Sequence, residues 1–215
     1  MSRFLMVCSG FLLACSLQAG TVLYDSTGQT PTGFDPIQSF GPLYDSFSTG
    51  ANSGSLSNLE FVLSTGANTD LESMLSGDGT SASISVDLYA DSGSSTVGGF
   101  LANLGTIDDS SLPSSLTLID LTLVSNPYLD SGTRYWIGLT GSGNTTGIWS
   151  YTTDTSGIGV NGEYFQNSVG TAPNNPDGGY QMEVEVGATP EPSTLLLGAS
   201  TLLALALLRR RLASK

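Results

Sequence analysis

Few residue types in this chain can carry out chemistry. The 215-residue sequence has no histidine, and both of its cysteines, Cys8 and Cys15, lie close to the N-terminus. Its one lysine is the last residue, Lys215. The interior therefore has no residues for thiol, imidazole or lysine nucleophiles, or for Cys/His metal sites. Carboxylates, hydroxyls and the guanidinium of Arg134 remain, and we expect a protein that is not an enzyme.

One acidic pair has a spacing that could support catalysis. Glu183 and Glu185 alternate with apolar residues in YQMEVEV, residues 180–186. On a strand they would share one face, roughly 6.5–7 Å apart. That separation overlaps the one found for paired carboxylates in inverting glycosidases. Any solvated strand face presents carboxylates in this way, so a glycoside hydrolase is only a remote alternative.

A second group of residues could contact carbohydrate. Trp136 and Trp149 are the two tryptophans of the chain, and Tyr151 and Arg134 lie close to them in sequence. Trp136 alternates with the apolar side chains of its strand, which places it on the opposite face. Exposed aromatic rings on a β-sheet can stack on sugar rings. The alternative is that both tryptophans pack in the core and that Arg134 forms an ion pair with a carboxylate on a neighbouring strand.

Aspartates near predicted turns could hold calcium. Ca²⁺ takes six to eight oxygen ligands, mostly carboxylates and carbonyls, and no EF-hand loop occurs in the sequence. Turn aspartates also commonly bind their own backbone. We expect no cofactor other than a structural calcium, for which the candidate ligands are Asp87, Asp91, Asp108 and Asp109.

Charge is distributed unevenly along the chain. All 19 acidic residues lie between Asp25 and Glu191, where Arg134 is the one basic residue, so this stretch carries a net charge of −18. Such a surface repels phosphates and anionic lipid head groups. Nucleic acid is therefore excluded as a partner.

The elements that must position these residues are short β-strands. Apolar and polar residues alternate in SASISVDLYA, TRYWIGLT and YQMEVEV, which is typical of antiparallel strands with one buried face. Turn sequences separate them, and one short helical turn is predicted near Asp70–Leu75. We expect an all-β, jelly-roll-like antiparallel β-sandwich over 21–187. The further predicted strands are 21–25, 43–48, 56–64, 101–107, 115–124, 146–153 and 160–166.

The N-terminal segment, 1–20, has the pattern of a secretory signal peptide. Arg3 supplies the early positive charge, an apolar stretch follows, and small residues stand at Ala19 and Gly20. An alternative interpretation takes Leu12 to Cys15 as a lipoprotein signal in which Cys15 is lipidated.

The C-terminal segment, 188–215, predicts a single transmembrane helix of marginal length. The apolar run 194–208 would span about 22 Å as a helix, whereas the hydrocarbon core is about 30 Å thick. Three arginines, 209–211, follow it. Basic residues stay on the cytoplasmic side, so the β-domain is expected outside the cell.

The order of features in this tail resembles the PEP-CTERM sorting signal. Pro190, Glu191 and Pro192 precede the apolar run, and Arg209, Arg210 and Arg211 end it. The resemblance implies recognition by an exosortase, a membrane-embedded sorting enzyme. It also implies a transient hold in the membrane, removal of the tail, and delivery to the cell surface or the exopolysaccharide matrix.

The middle of the chain resembles the choice-of-anchor domains of bacterial surface proteins, of the R type. The resemblance rests on strand patterns in 83–105, 116–143 and 147–152 and extends over about 21–186. It implies a secreted β-sandwich with no assigned catalytic residues. The expected function is that of an exported, non-enzymatic surface or matrix protein. The alternative is a carbohydrate-binding module of the surface matrix.

Overall fold

A computed structural model describes residues 20–38, 41–66, 82–142, 145–174 and 178–187. The predicted signal peptide, apart from Gly20, lies outside these residues. So do the predicted helical turn at Asp70–Leu75 and the C-terminal segment 188–215. No helix in the described part of the chain is both long and apolar enough to cross a bilayer.

Fourteen strands and one short 3-10 turn, Asp109–Ser111, occur in the described residues. Most strands are short and are separated by turns rich in Gly, Ser and Asn. The strands are β1 Thr21–Asp25, β2 Gly33–Pro36, β3 Leu43–Ser48, β4 Gly54–Thr65, β5 Ser83–Asp91, β6 Val97–Asp108, β7 Thr117–Asp120, β8 Tyr128–Leu129, β9 Arg134–Ser142, β10 Gly147–Thr152, β11 Tyr164–Asn167, β12 Gly170–Pro173, β13 Gly179–Tyr180 and β14 Met182–Val186.

The strands form two antiparallel sheets. The eight-stranded sheet has the order β1-β14-β4-β10-β13, with β2 paired to β10 and with β7 and β8 paired to β4. The six-stranded sheet has the order β12-β11-β3-β9-β5-β6. One apolar core draws residues from both sheets, so the arrangement is sandwich-like. The all-β prediction is confirmed.

The core follows the alternation seen in the sequence. Ile84, Val86 and Leu88 are buried on one face of β5, and Val184 and Val186 are buried on β14. Period two places alternate side chains on one face, so a strand that lies on the core needs apolar residues only at every second position. The predicted inner faces of β5, β9 and β14 are confirmed.

Alternation in YQMEVEV does not predict the burial of Gln181. The pattern places Gln181 on the polar face with Glu183 and Glu185, yet Gln181 is buried. Its Nε2 donates to the carbonyl oxygens of Ser26 and Gln29, at 3.0 and 2.8 Å, and its Oε1 accepts from the Ser150 hydroxyl at 2.7 Å. The carboxamide thus takes the place of water for three polar groups, and these hydrogen bonds offset the free-energy cost of burying it.

Candidate functional site

Strand pairing brings a set of aromatic residues to one end of the eight-stranded sheet. Tyr151 of β10 lies opposite Gly33 of β2 and Tyr180 of β13. Trp149 lies opposite Asp35. Residues directly opposite one another share a face of the sheet, and Trp149 belongs to the core. All five therefore face inward, toward the other sheet.

The six-stranded sheet supplies the opposite wall. Phe165 of β11 is paired with Asp45 of β3, a buried residue, and is packed against the core. Asn167 follows two residues later on the same strand. Between the two walls is a cleft of about 200 Å³, referred to below as the Tyr180 cleft. Its lining residues are Asp35, Tyr151, Phe165, Asn167, Gly178 and Tyr180.

The aromatic rings of the cleft are held by one another. Tyr180 stacks on Trp149, with centroids 4.6 Å apart and ring planes 18° apart. Tyr151 and Phe165 each meet Tyr180 edge to face, at 6.5 Å and 5.9 Å. Tyr180 is buried, whereas Tyr151 and Phe165 are half-buried. Tyr180 therefore forms a floor, and the other two rings stand as walls that solvent can reach.

The position of the Tyr151 ring also depends on glycine at residue 33. A Cβ at Gly33 would clash with the Tyr151 hydroxyl and ring. Glycine at this position lets the ring lie across the neighbouring strand, which is the kind of close approach that only glycine permits.

Two polar side chains complete the cleft. The Tyr180 hydroxyl donates to Oδ2 of Asp35 at 2.6 Å. Burial raises the pKa of the Tyr180 hydroxyl well above its usual value, and the Asp35 carboxylate raises it further. Tyr180 therefore stays a neutral donor. Asn167 accepts a hydrogen bond from the Val169 amide through its Oδ1, at 2.9 Å, which orients its amide group.

A buried polar group lies beside the cleft floor. Asp45 is fully buried, and its carboxyl group contacts the amide of Asn174 at 3.2 Å and the hydroxyl of Tyr24 at 3.4 Å. Burial raises the pKa of Asp45 well above its usual range, although hydrogen bonds from Asn174 and the Tyr180 backbone amide oppose this. The carboxyl group is thus held toward its neutral form.

The four residues proposed for carbohydrate contact are divided between two places. Trp149 and Tyr151 lie at the Tyr180 cleft, whereas Trp136 and Arg134 lie on the outer face of the six-stranded sheet. Both tryptophans have no exposed surface, which agrees with the alternative that they are packed in the protein. Of the three aromatic candidates, Tyr151 lines the Tyr180 cleft.

Trp136 is covered on the outer face by its neighbours. Its Nε1 donates to Oδ1 of Asp91 at 2.9 Å. The rings of Tyr44 and Tyr89 meet edge to face at 5.4 Å and lie over Gly138, where any Cβ would clash with both. We call the group formed by Tyr44, Tyr89, Trp136, Arg134 and Glu163 the Trp136 cluster.

Arg134 forms the expected ion pair. Its Nε lies 2.9 Å from Oε2 of Glu163, whose side chain is 5% exposed. The other two guanidinium nitrogens donate to Ser95 and Gly162, at 2.9 and 3.1 Å, and the guanidinium lies 5.0 Å from the centroid of the Tyr164 ring. Glu163 lies in the segment before β11. Each of the three guanidinium nitrogens therefore has a partner within the chain.

The candidate calcium ligands are not brought together. Asp87 accepts from Asn103 at 2.7 Å, and Asp91 accepts from Trp136 and the Gly93 amide. Asp109 accepts from Thr145 and from the Thr146 amide, at 2.6 and 2.7 Å, whereas Asp108 is exposed. Among the described residues no three acidic side chains are grouped so that they could hold a metal ion. The geometry does not favour the calcium hypothesis.

Glu183 and Glu185 lie on a more acidic face than the sequence indicated. Glu183 stands opposite Asp25 on one neighbouring strand and Glu60 on the other, and Glu60 stands opposite Asp120. Partial burial raises the pKa of Glu183, and the charges of Asp25, Glu60 and Glu185 raise it further. This acidic row lies on the outer face of the eight-stranded sheet, whereas the Tyr180 cleft lies on its inner face.

Sequence reasoning missed most of the cleft. Asp35 and the strand that carries it were not predicted, and Phe165, Asn167 and Tyr180 were not singled out. The one available signal was the clustering of aromatic residues in the segments that became β10, β11 and β13. No protein-family model matches this chain, and no curated protein matches it.

Proposed function

We propose that the protein is exported and acts, without catalysis, at the cell surface or in the exopolysaccharide matrix. The observation that carries this proposal is the order of features at the C-terminus. Pro190, Glu191 and Pro192 precede a short apolar run, and Arg209–Arg211 follow it. An exosortase-type membrane enzyme recognises this segment, holds the precursor at the membrane and releases the β-domain.

The proposal includes a finer description of the chain. A signal peptide at 1–20 directs export, a jelly-roll-like β-sandwich of the choice-of-anchor kind occupies 21–187, and a single transmembrane helix lies in 188–215. The acidic character of the middle supports placement outside the cell, because a charge of −18 keeps a surface domain soluble and away from anionic lipids.

Membrane fractionation tests the sorting step. The wild-type chain and a Pro190→Ala/Glu191→Ala variant are expressed in a host with and without the sorting peptidase. We expect a shorter, released form only for the wild type with the peptidase present. Glu185→Ala, which changes an acidic residue outside the signal, is the matched control and should be processed normally. Unchanged size and location in both hosts would rule out the sorting proposal.

The second candidate function is carbohydrate binding in the matrix. The observation that favours it is the Tyr180 cleft, where solvent reaches two aromatic rings beside a carboxylate and a carboxamide. The cleft supports carbohydrate binding without exposed tryptophans, because Tyr151 and Phe165 supply the aromatic surface. The remote alternative of a glycoside hydrolase acting through Glu183 and Glu185 has no such observation in its favour.

A further inference from the structure

We propose that the Tyr180 cleft binds one unit of a neutral polysaccharide, and that Asp35, Asn167 and the ring of Tyr151 make the contacts. This inference rests on the second candidate function and assigns it a site and a ligand class.

The shape of the cleft suits a sugar unit that is part of a chain. Its volume of about 200 Å³ is smaller than the roughly 300–1,000 Å³ of pockets for drug-sized ligands. A second hollow of about 280 Å³ adjoins it, because Phe165 and Asn167 line both. That hollow continues along the β11–β12 hairpin past Val169 and Thr171. A chain with one ring in the cleft could therefore extend over the hairpin.

The aromatic walls offer faces to the ligand. Tyr180 meets both Tyr151 and Phe165 nearly at right angles, 81° and 86°. Tyr180 therefore holds the orientation of each wall ring, and solvent reaches part of each ring because both are half-buried. The face of an aromatic ring carries partial negative charge. The C–H groups of a sugar ring carry partial positive charge, so they pack on such a face.

The polar groups can hold hydroxyls from two sides. An ionised carboxylate has about four acceptor sites, and Tyr180 uses one of those on Asp35. The carboxamide of Asn167 lines the cleft beside the Tyr180 hydroxyl and accepts from its own hairpin through Oδ1, which leaves its NH₂ group as the donor of this wall. An acceptor on one sheet and a donor on the other match a pair of hydroxyls, since each hydroxyl can both donate and accept.

Charge selects a neutral ligand over an acidic one. Asp35 places a carboxylate in the cleft. Arg134 is the one basic side chain among the described residues, and it is committed to Glu163 on the outer face. A uronic acid or a phosphorylated sugar would meet repulsion with no cation to offset it. The cleft therefore fits neutral hexose or pentose polymers.

Affinity gel electrophoresis of the purified full-length protein tests the assignment. The gels contain dextran, a β-1,3-glucan or galactomannan as neutral probes, and polygalacturonate as the acidic probe. We expect retardation by at least one neutral polymer and none by polygalacturonate. Tyr151→Ala and Asn167→Ala should each weaken binding at least tenfold. Phe100→Ala is the matched control, because it removes an exposed ring from β6, at the end of the six-stranded sheet away from β11 and β12, and it should bind as the wild type does.

Tryptophan fluorescence gives a readout that does not depend on the cleft variants folding. In Trp136→Phe, Trp149 is the one remaining tryptophan, and it stacks directly beneath the cleft floor. Titration with the neutral polymer should then change its emission.

The outcomes separate the proposals. Retardation that persists in folded Tyr151→Ala and Asn167→Ala overturns the site but keeps carbohydrate binding. Retardation by polygalacturonate overturns the ligand class. No binding to any neutral polymer, with unchanged Trp149 emission, overturns the inference and the second candidate function while leaving the export proposal intact.

Discussion

The Trp136 cluster and the Tyr180 cleft are built from the same kinds of side chain: aromatic rings, a carboxylate and hydrogen-bond donors. In the cluster, Trp136 donates to Asp91, and Arg134 uses all three nitrogens within the chain. The rings of Tyr44 and Tyr89 lie over Gly138, and Trp136 has no exposed surface. The cluster is closed.

In the cleft the same components stand apart. Tyr180 donates to Asp35, but Tyr151 and Phe165 are set at right angles to its ring and enclose an open volume. The difference shows that aromatic content alone does not mark a binding site. What matters is whether the chain itself fills the space between the rings and satisfies their polar neighbours. We expect substitutions in the Trp136 cluster to destabilise the fold and substitutions in the Tyr180 cleft to be tolerated.

The largest effect is expected from Trp136→Ala. Truncating a fully buried tryptophan removes its packing and leaves a cavity, which costs about 3–5 kcal/mol of the free energy of unfolding. Urea denaturation measures the loss. Phe100→Ala, on the same sheet but 59% exposed, removes only an edge-to-face contact with Tyr89 and should cost about 1 kcal/mol. Similar costs for the two variants would mean that the Trp136 cluster is not closed.

A smaller loss is expected from Arg134→Met. The substitution keeps much of the side-chain volume but leaves the buried Glu163 carboxylate with the Ser46 hydroxyl as its remaining side-chain partner. Removing one partner of a buried ion pair costs about 3–5 kcal/mol. Because the Arg134 side chain is 25% exposed, we expect about 2–3 kcal/mol.

The coupling between the two residues provides the control. In Arg134→Met/Glu163→Gln the unpaired charge is absent, so the double variant should be more stable than Arg134→Met alone. Simple addition of the two single effects in urea denaturation would show that the ion pair does not stabilise the cluster.

The sequence predicts the strands far better than the cleft. Alternation identifies β5, β9 and β14 because each carries apolar residues at every second position over at least five residues. It cannot identify β2, since GFDP contains glycine, aspartate and proline, which are depleted in strands and typical of turns. The strand that supplies Asp35 is therefore the one whose local sequence argues against it.

Burial on the outer face is also hidden from a local pattern. Alternation places Trp136 correctly on the face opposite Ile137 but cannot tell that side chains from β3 and β5 cover that face. The cleft likewise depends on pairing between β2, β10 and β13, which lie far apart in the chain. The sequence shows which residue types are present, but the strand register determines which of them lie close together.

The pH dependence of stability should change in Asp45→Asn. Because burial raises the pKa of Asp45, the folded chain binds a proton over a pH range in which the unfolded chain has lost it. The stability contributed by this group is therefore present at low pH and is lost as pH rises from about 4 through the raised pKa. The nearby charged or titratable groups, Glu163 and Tyr24, remain in place in the variant.

Thermal and urea unfolding at pH 4 and pH 7 measure this effect. We expect Asp45→Asn to become more stable relative to the wild type on going from pH 4 to pH 7, because only the wild type loses the stabilising proton. Asp130→Asn, at an exposed position, is the control and should follow the wild type. An Asp45→Asn variant with the wild-type pH profile would show that Asp45 is ionised in the fold.

The smallest effect is expected in the cleft itself. Tyr180→Phe keeps the stacking on Trp149 and removes only the hydroxyl that donates to Asp35. Because Asp35 is half-exposed and water can replace the donor, the loss should be about 1 kcal/mol. Tyr151→Phe is the matched control, since the Tyr151 hydroxyl has no hydrogen-bond partner among the described residues. This variant should leave the free energy of unfolding unchanged. A cost for Tyr180→Phe near that of Trp136→Ala in urea unfolding would mean that the cleft supports the fold as the cluster does, and that its open volume is incidental to function.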